Sequence, residues 1–192
     1  MFKLEVLKRL IKYFLITSLL ILLSVHSNAE NIPSYDRGLF ASWKDFDNDC
    51  QNTRHEMLQT LSLDEFTLTD NTCRVLTGLW LDPYTNIYFS MSSELDIDHL
   101  VPLKYAWTRG AYNWPKSKRV KFSNDENNLF AVKKSVNRQK SAMGPAMWLP
   151  PSDNFKCEYI KLFQGIVAKY DLKQADDELS QINTKITKFC LN

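Results

Sequence analysis

The stretch DIDHLVP, Asp96 to Pro102, sets a histidine directly after an aspartate, at the head of an apolar run that a proline closes. Side chains alternate across a strand, so Asp98 and His99 point to opposite faces. Pro102 ends the run, and a short strand is predicted over Asp98–Val101. Further on stand Asn127-Asn128-Leu129-Phe130-Ala131-Val132 and Ser135-Val136-Asn137-Arg138-Gln139-Lys140. The run Leu129–Val132 predicts a second strand paired with the one at His99, and Lys133–Lys140 predicts a helix. This order, strand–loop–strand–helix, brings the helix back across the strand that carries His99. Asp98 and Asn137 can then offer oxygen atoms to one cation, with His99 beside it. Oxygen ligands suit a hard ion such as Mg²⁺ or Mn²⁺. A zinc cluster needs several histidines or cysteines in register, which this pattern does not supply.

The flanking sequence reads as mixed structure. Asn52 is placed to cap a helix through Met57, Leu58 and Leu61. Arg74–Leu81 reads as a strand, Asp82-Pro83-Tyr84 as a turn, and Ile87–Ser90 as the returning strand. Leu103–Trp107 and Lys116–Phe122 read as short helices. Tyr159, Leu162, Phe163, Ile166, Val167 and Tyr170 recur at helical spacing, as do Leu179, Ile182, Ile186 and Phe189. These two helices meet near Leu172 and are predicted to form an antiparallel hairpin. No repeat or linker interrupts the pattern, so residues 30–192 are read as one α+β domain and a monomer is expected.

The N-terminus reads as a secretory leader. Lys3, Lys8, Arg9 and Lys12 precede an apolar run from Phe14 to Val25, followed by Ser27-Asn28-Ala29. The run is short for a membrane span, which takes about 20 residues, and cleavage is expected after Ala29. A retained anchor is the alternative. Export to a secreted or periplasmic location places the four cysteines in an oxidising compartment, where two disulfides form. Cys157 lies near the start of one helix of the predicted hairpin and Cys190 near the end of the other, so these two are paired, and Cys50 with Cys73.

Net charge is only +2, yet Leu100–Gly144 carries ten basic residues, among them Lys104, Lys118, Arg119, Arg138 and Lys140, against Asp125 and Glu126. Such a local excess suits a polyanion. Trp107, Tyr112 and Trp114 lie among these charges, either to stack on bases or to fill the core.

DIDHLVPL, NNLFAV and SVNRQK resemble the three blocks of an HNH nuclease, the ββα-metal motif, in its histidine–asparagine–asparagine form. The first block is also similar to the HNH domain of RNA-guided DNA nucleases. Asn52-Thr53-Arg54, Cys73-Arg74-Val75, Trp80, Asp82-Pro83-Tyr84-Thr85 and Trp148-Leu149-Pro150-Pro151 look like small secreted bacterial HNH endonucleases, relatives of the C-terminal domain of GmrSD-type restriction enzymes. The resemblance runs from about Cys50 to Cys157, with a motif core at about 94–145. The last motif position is asparagine where many members have histidine, and two adjacent asparagines fill the middle block. Asn128 is favoured there because the asparagine of the family directly precedes the apolar residue that starts the second strand.

The resemblance implies a metal-dependent endonuclease that leaves a 5′-phosphate and a 3′-hydroxyl. His99 would be the general base. Asp98 and Asn137 would hold one Mg²⁺, and Asn128 would fix the loop and the His99 ring. Arg54 is a candidate for the scissile phosphate, or else a structural partner of Glu56. Arg138 and Lys140 flank Asn137 and are expected to contact phosphates. Asp96 is expected to face solvent, His55 to sit on a helix surface, and Asp82 and Tyr84 to build a turn. DNA is the expected substrate, with little sequence preference. A ribonuclease or dual nuclease on the same scaffold, and a secreted nucleic-acid-binding protein without catalysis, are the alternatives.

Overall fold

Asn52 starts the first helix, α1 (Thr53–Thr60), by accepting the His55 N–H on its side-chain oxygen. That satisfies one of the donors a first helical turn leaves open. Three antiparallel strands follow: β1 (Thr67–Leu68), β2 (Val75–Asp82) and β3 (Ile87–Met91), with β2 central. Asp82 makes the β2–β3 turn by accepting the Tyr84 N–H at 2.8 Å and the Thr85 hydroxyl. The computed structural model describes residues 31–41 and 43–191; the predicted leader and its cleavage point at Ala29 lie outside them. Contacts group the described residues from Pro33 onward into one unit.

The chain then runs through β4 (Leu95–His99), α2 (Leu103–Trp107), α3 (Lys116–Ser123), β5 (Leu129–Lys133) and α4 (Lys134–Lys140). β4 and β5 form an antiparallel pair in which His99 faces Leu129, Asp98 faces Phe130 and Leu95 faces Lys133. β4 thus begins earlier than predicted and stops at His99. The alternation Leu95-Asp96-Ile97-Asp98 is already a strand pattern. Beyond His99, the amides of Leu100 and Val101 go to the backbone oxygen and side-chain oxygen of Asn128, each at 2.8 Å, and leave the ladder.

The β4–β5 pair separates two cores. Leu95, Ile97, Leu129 and Ala131 pack with Met57, Leu58, Val75 and Trp80. Val132 belongs to a second cluster built from α2, α3 and the C-terminal helices α5 (Asp153–Tyr170) and α6 (Asp176–Cys190). The amphipathic spacing predicted for α5 is met, with Tyr159, Phe163, Ile166, Val167 and Tyr170 all buried. Trp107 is buried in this cluster, with Tyr112 and Trp114 packed against it, so these aromatics serve the core. Both disulfides join as expected, Cys50 with Cys73 and Cys157 with Cys190.

The basic segment is partly consumed by the fold. Arg109 pairs with Glu178 at 2.7 Å, Lys118 donates to the Tyr170 carbonyl, and Arg119 donates to the carbonyls of Trp114 and Leu39. Lys118 and Arg119 are therefore anchors more than a free polyanion surface.

Two stability tests follow from this packing. Each bridge closes a loop, of 23 and 33 residues in sequence separation, for which restriction of the unfolded chain contributes about 3–4 kcal/mol. Replacing Cys157 and Cys190 together with alanine is expected to lower the thermal midpoint with the remaining bridge intact, read by calorimetry beside a non-reducing peptide map. Gly78 sits where an added Cβ would lie 2.6 Å from the Trp80 ring. Gly78→Ala is expected to cost about 1–3 kcal/mol in denaturant unfolding.

Candidate active site

His99 shares the face of β4 that carries Leu95 and Ile97, and only 6% of its surface is exposed. The Trp43 indole lies flat on the imidazole, with centroids 5.0 Å apart and planes 4° from parallel. His99 Nε2 lies 2.8 Å from the Ser123 carbonyl oxygen. A carbonyl can only accept, so Nε2 carries the proton and Nδ1 is the basic nitrogen of the neutral ring. Ser123 ends α3, where carbonyls lack helical partners, and the histidine satisfies one of them. Burial drives the imidazole pKa down to about 3, with the Arg37 and Lys140 charges adding to the effect and the Ser123 bond opposing it. The ring is therefore neutral at pH 7.

Asp98 points to the other face and is buried. Its Oδ2 accepts the Tyr84 hydroxyl at 2.8 Å and the Lys140 ammonium at 2.8 Å. Burial raises the carboxyl pKa and lowers that of the ammonium, while their mutual attraction opposes both changes. Among the described residues none hydrogen-bonds Asp98 Oδ1. Asn137 shares a cleft with Asp98 and donates its Nδ2 to Asp96 Oδ2 at 3.1 Å. Only the amide nitrogen can donate to a carboxylate, so the Asn137 carbonyl oxygen is turned away from Asp96. Asp98 on β4 and Asn137 on α4 thus line one cleft as a carboxylate and an amide, and oxygen donors of this kind fit a hard cation such as Mg²⁺ or Mn²⁺.

The cleft has a volume of about 300 Å³, and Asp98, His99 and Asn137 line it together with Tyr35, Arg37 and Lys104. Arg37, Trp43 and Ser123 also line a smaller cavity of about 150 Å³ against His99. Arg37 starts a 3₁₀ turn, Arg37–Phe40, held down by buried Phe40 and by the Ser123 hydroxyl, which donates to the Phe40 carbonyl at 2.8 Å. A larger open groove of about 740 Å³ lies elsewhere, between Phe46 and Val120, and contains none of His99, Asp98 and Asn137.

Several sequence expectations change here. Lys140 is fully buried and donates to the His99 carbonyl as well as to Asp98, each at 2.8 Å, so it is not available to a phosphate. It follows Val136 by four residues, which turns it to the inner face of α4. Arg138 is exposed on the same helix. Arg54 donates to the backbone oxygens of Leu95 and Ser92 at 3.0 and 3.4 Å and does not line the cleft. Asn128 is buried and bonds both backbone groups of Val101, so it fixes the loop, while the Ser123 carbonyl orients the His99 ring. Asn127 is exposed. Tyr84 is a buried partner of Asp98 as well as a turn residue, Asp96 is half-buried against Asn137, and His55 Nδ1 accepts the Val75 N–H at 3.1 Å. Arg37, Trp43 and Ser123 are site residues that no motif spacing marked.

Asp45, Asp47 and Asp49 also bring their oxygens within 4.8 Å of one another, but these oxygens accept backbone amides of Asn48, Asp49, Cys50 and Gln51.

The family described as GmrSD restriction endonucleases, C-terminal domain, matches residues 44–183. A protein of Arthroderma benhamiae described as an uncharacterized secreted protein is 34% identical over 154 residues, covering 79% of this chain and 74% of that one. No solved structure matches. A match spanning β1–β5, α1–α5 and the start of α6 means that the chain belongs to the family of GmrSD restriction endonuclease C-terminal domains.

Proposed function

We propose that this protein is a secreted, divalent-cation-dependent endonuclease of the HNH, ββα-metal type, acting on DNA with little sequence preference. One observation carries the reading. The bond from His99 Nε2 to the Ser123 carbonyl leaves Nδ1 as the proton acceptor, and His99 lines one cleft with Asp98 and Asn137. The family points to nuclease chemistry. Secretion is supported by the description of the relative and by the two disulfides; among the described residues no helix is long and apolar enough to cross a membrane.

In this mechanism His99 Nδ1 takes the proton from water as its oxygen attacks phosphorus. Trp43 covers one face of the ring and keeps it from turning. Asp98 and Asn137 would hold the cation through their side-chain oxygens. When bound, Mg²⁺ would supply positive charge against the charge growing on the phosphate and on the leaving 3′ oxygen. Arg37 and Lys104 at the cleft, with Arg138 on α4, give phosphate contacts; such contacts position a duplex without reading its bases.

His99→Ala is expected to keep cation and DNA binding and to lose cleavage by roughly 10²–10⁴-fold, the usual worth of a positioned base. Asp98→Ala and Asn137→Ala are expected to weaken cation affinity instead. Plasmid cleavage with and without chelator, run beside matched RNA, checks the activity and the substrate; full cleavage by His99→Ala removes it from the role of base.

The pH profile offers an independent check. A base whose pKa is lowered stays neutral, and so competent, below the ordinary histidine value of about 6.5. The acid limb of kcat/KM, which reports the free enzyme, is expected below that value. An acid limb at or above it would mean that His99 titrates as an exposed imidazole.

A further inference from the structure

We propose that Lys140 and Tyr84 are positioning residues for the cation site, which they serve by pinning one oxygen of Asp98 so that the other faces the cleft. This rests on the reading of Asp98 as a cation ligand.

Two donors from separate elements converge on the same atom. The Tyr84 hydroxyl comes from the β2–β3 turn and the Lys140 ammonium from the end of α4, and each lies 2.8 Å from Asp98 Oδ2. Neither is a surface contact, because Tyr84 and Lys140 both have 0% exposure. If the pair served packing alone, apolar groups of similar volume would fill the space without the desolvation of an ammonium and a carboxylate. The ammonium also bonds the His99 carbonyl at 2.8 Å. One buried charge thus fixes the carboxylate of Asp98 and the backbone that carries the base. With Oδ2 doubly engaged, the carboxylate cannot rotate without breaking two bonds, and Asp98 and Asn137 line the same cleft. Partners behind a metal ligand act in this way, and losing one typically weakens metal affinity or activity by about 10–100-fold.

The test uses the full disulfide-bonded chain and Mn²⁺ as the probe, titrated by calorimetry or electron paramagnetic resonance without nucleic acid. Wild type is compared with Tyr84→Phe, Lys140→Met and Asp98→Ala. Tyr84→Phe removes one hydroxyl, keeps the buried ring and so guards against a Lys140→Met that fails to fold. Tyr84→Phe is expected to raise the Mn²⁺ dissociation constant several-fold, and folded Lys140→Met by about 10–100-fold. Cleavage by Tyr84→Phe is expected to return toward wild type as Mn²⁺ is raised, with kcat restored at saturation. A lower thermal midpoint with an unchanged Mn²⁺ dissociation constant in Tyr84→Phe would overturn the proposal and leave a packing role. If that occurs while Asp98→Ala loses affinity, the pinning fails alone and the nuclease reading stands. If Asp98→Ala binds Mn²⁺ as tightly as wild type, the cation is held elsewhere, and the pinning falls with the assignment of Asp98.

Discussion

The Lys140 ammonium, buried between Asp98 and the His99 carbonyl, is the constraint on which the site depends. Taking an ammonium and a carboxylate out of water costs several kcal/mol each, and their attraction recovers this only when the geometry is good. Here it is supplied by three elements at once: β4 carries the acceptors, α4 the ammonium and the β2–β3 turn the phenol of Tyr84. Removing one partner of such a pair typically costs about 3–5 kcal/mol, because the other charge is left buried alone. That asymmetry disfavours any register of α4 on the strand pair that does not bring Lys140 to Asp98. Asn137 is thereby placed over β4, within reach of Asp96.

The other half of the site is set from outside the strand–helix unit. Ser123 gives its backbone oxygen to His99 and its hydroxyl to the Phe40 carbonyl, so one residue at the end of α3 joins His99 to the segment that carries Arg37. Lys44 continues the same strap, donating its N–H to the Asn124 side chain at 3.0 Å and accepting the Thr53 N–H at 2.7 Å. Trp43 lies between these ties, which is why its ring is held flat on the imidazole. This segment has little regular structure, and the Phe40 carbonyl and the Lys44 amide and carbonyl tie it to helix ends.

Most of the longer secondary elements were legible in the sequence because they follow local rules. Apolar runs closed by turn residues marked β2, β3 and β5, Asn52 marked a helix start, and the apolar stripes of α5 and α6 marked the hairpin that pairs Cys157 with Cys190. The two-residue β1 left no such mark, and the start of β4 was placed too late. Asp98, His99 and Asn137 were legible from their order on strand and helix, Asn128 through the resemblance to HNH nucleases, and the structure brings Asp98, His99 and Asn137 into one cleft. What was not legible is what depends on distant backbone. The acceptor for His99 is a carbonyl, which no side chain announces, and Arg37 and Trp43 reach the site through folding of the N-terminal strap. Lys140 was expected to contact phosphates because it flanks Asn137, and the structure buries it against Asp98 instead. Two clues pointed inward: its spacing of four from Val136, and the need of a buried Asp98 for a counter-charge.

The same accounting narrows where a polyanion can bind. Lys140, Lys118, Arg109 and Arg119 all hold the protein together, so the local excess of positive charge overstates the surface it gives to phosphates. Lys104 at the cleft and Arg138 on the outer side of α4 remain exposed, and so do Lys116 and Lys121 on α3. The Lys104 and Arg138 charges flank the elements that present Asp98, His99 and Asn137. Under the proposed function, a phosphate backbone drawn to these charges would be drawn toward His99. Internal use of cations and external recognition are therefore divided by helix face: on α4 the side chain four residues from Val136 turns inward to Asp98, and Arg138 between them turns out to solvent.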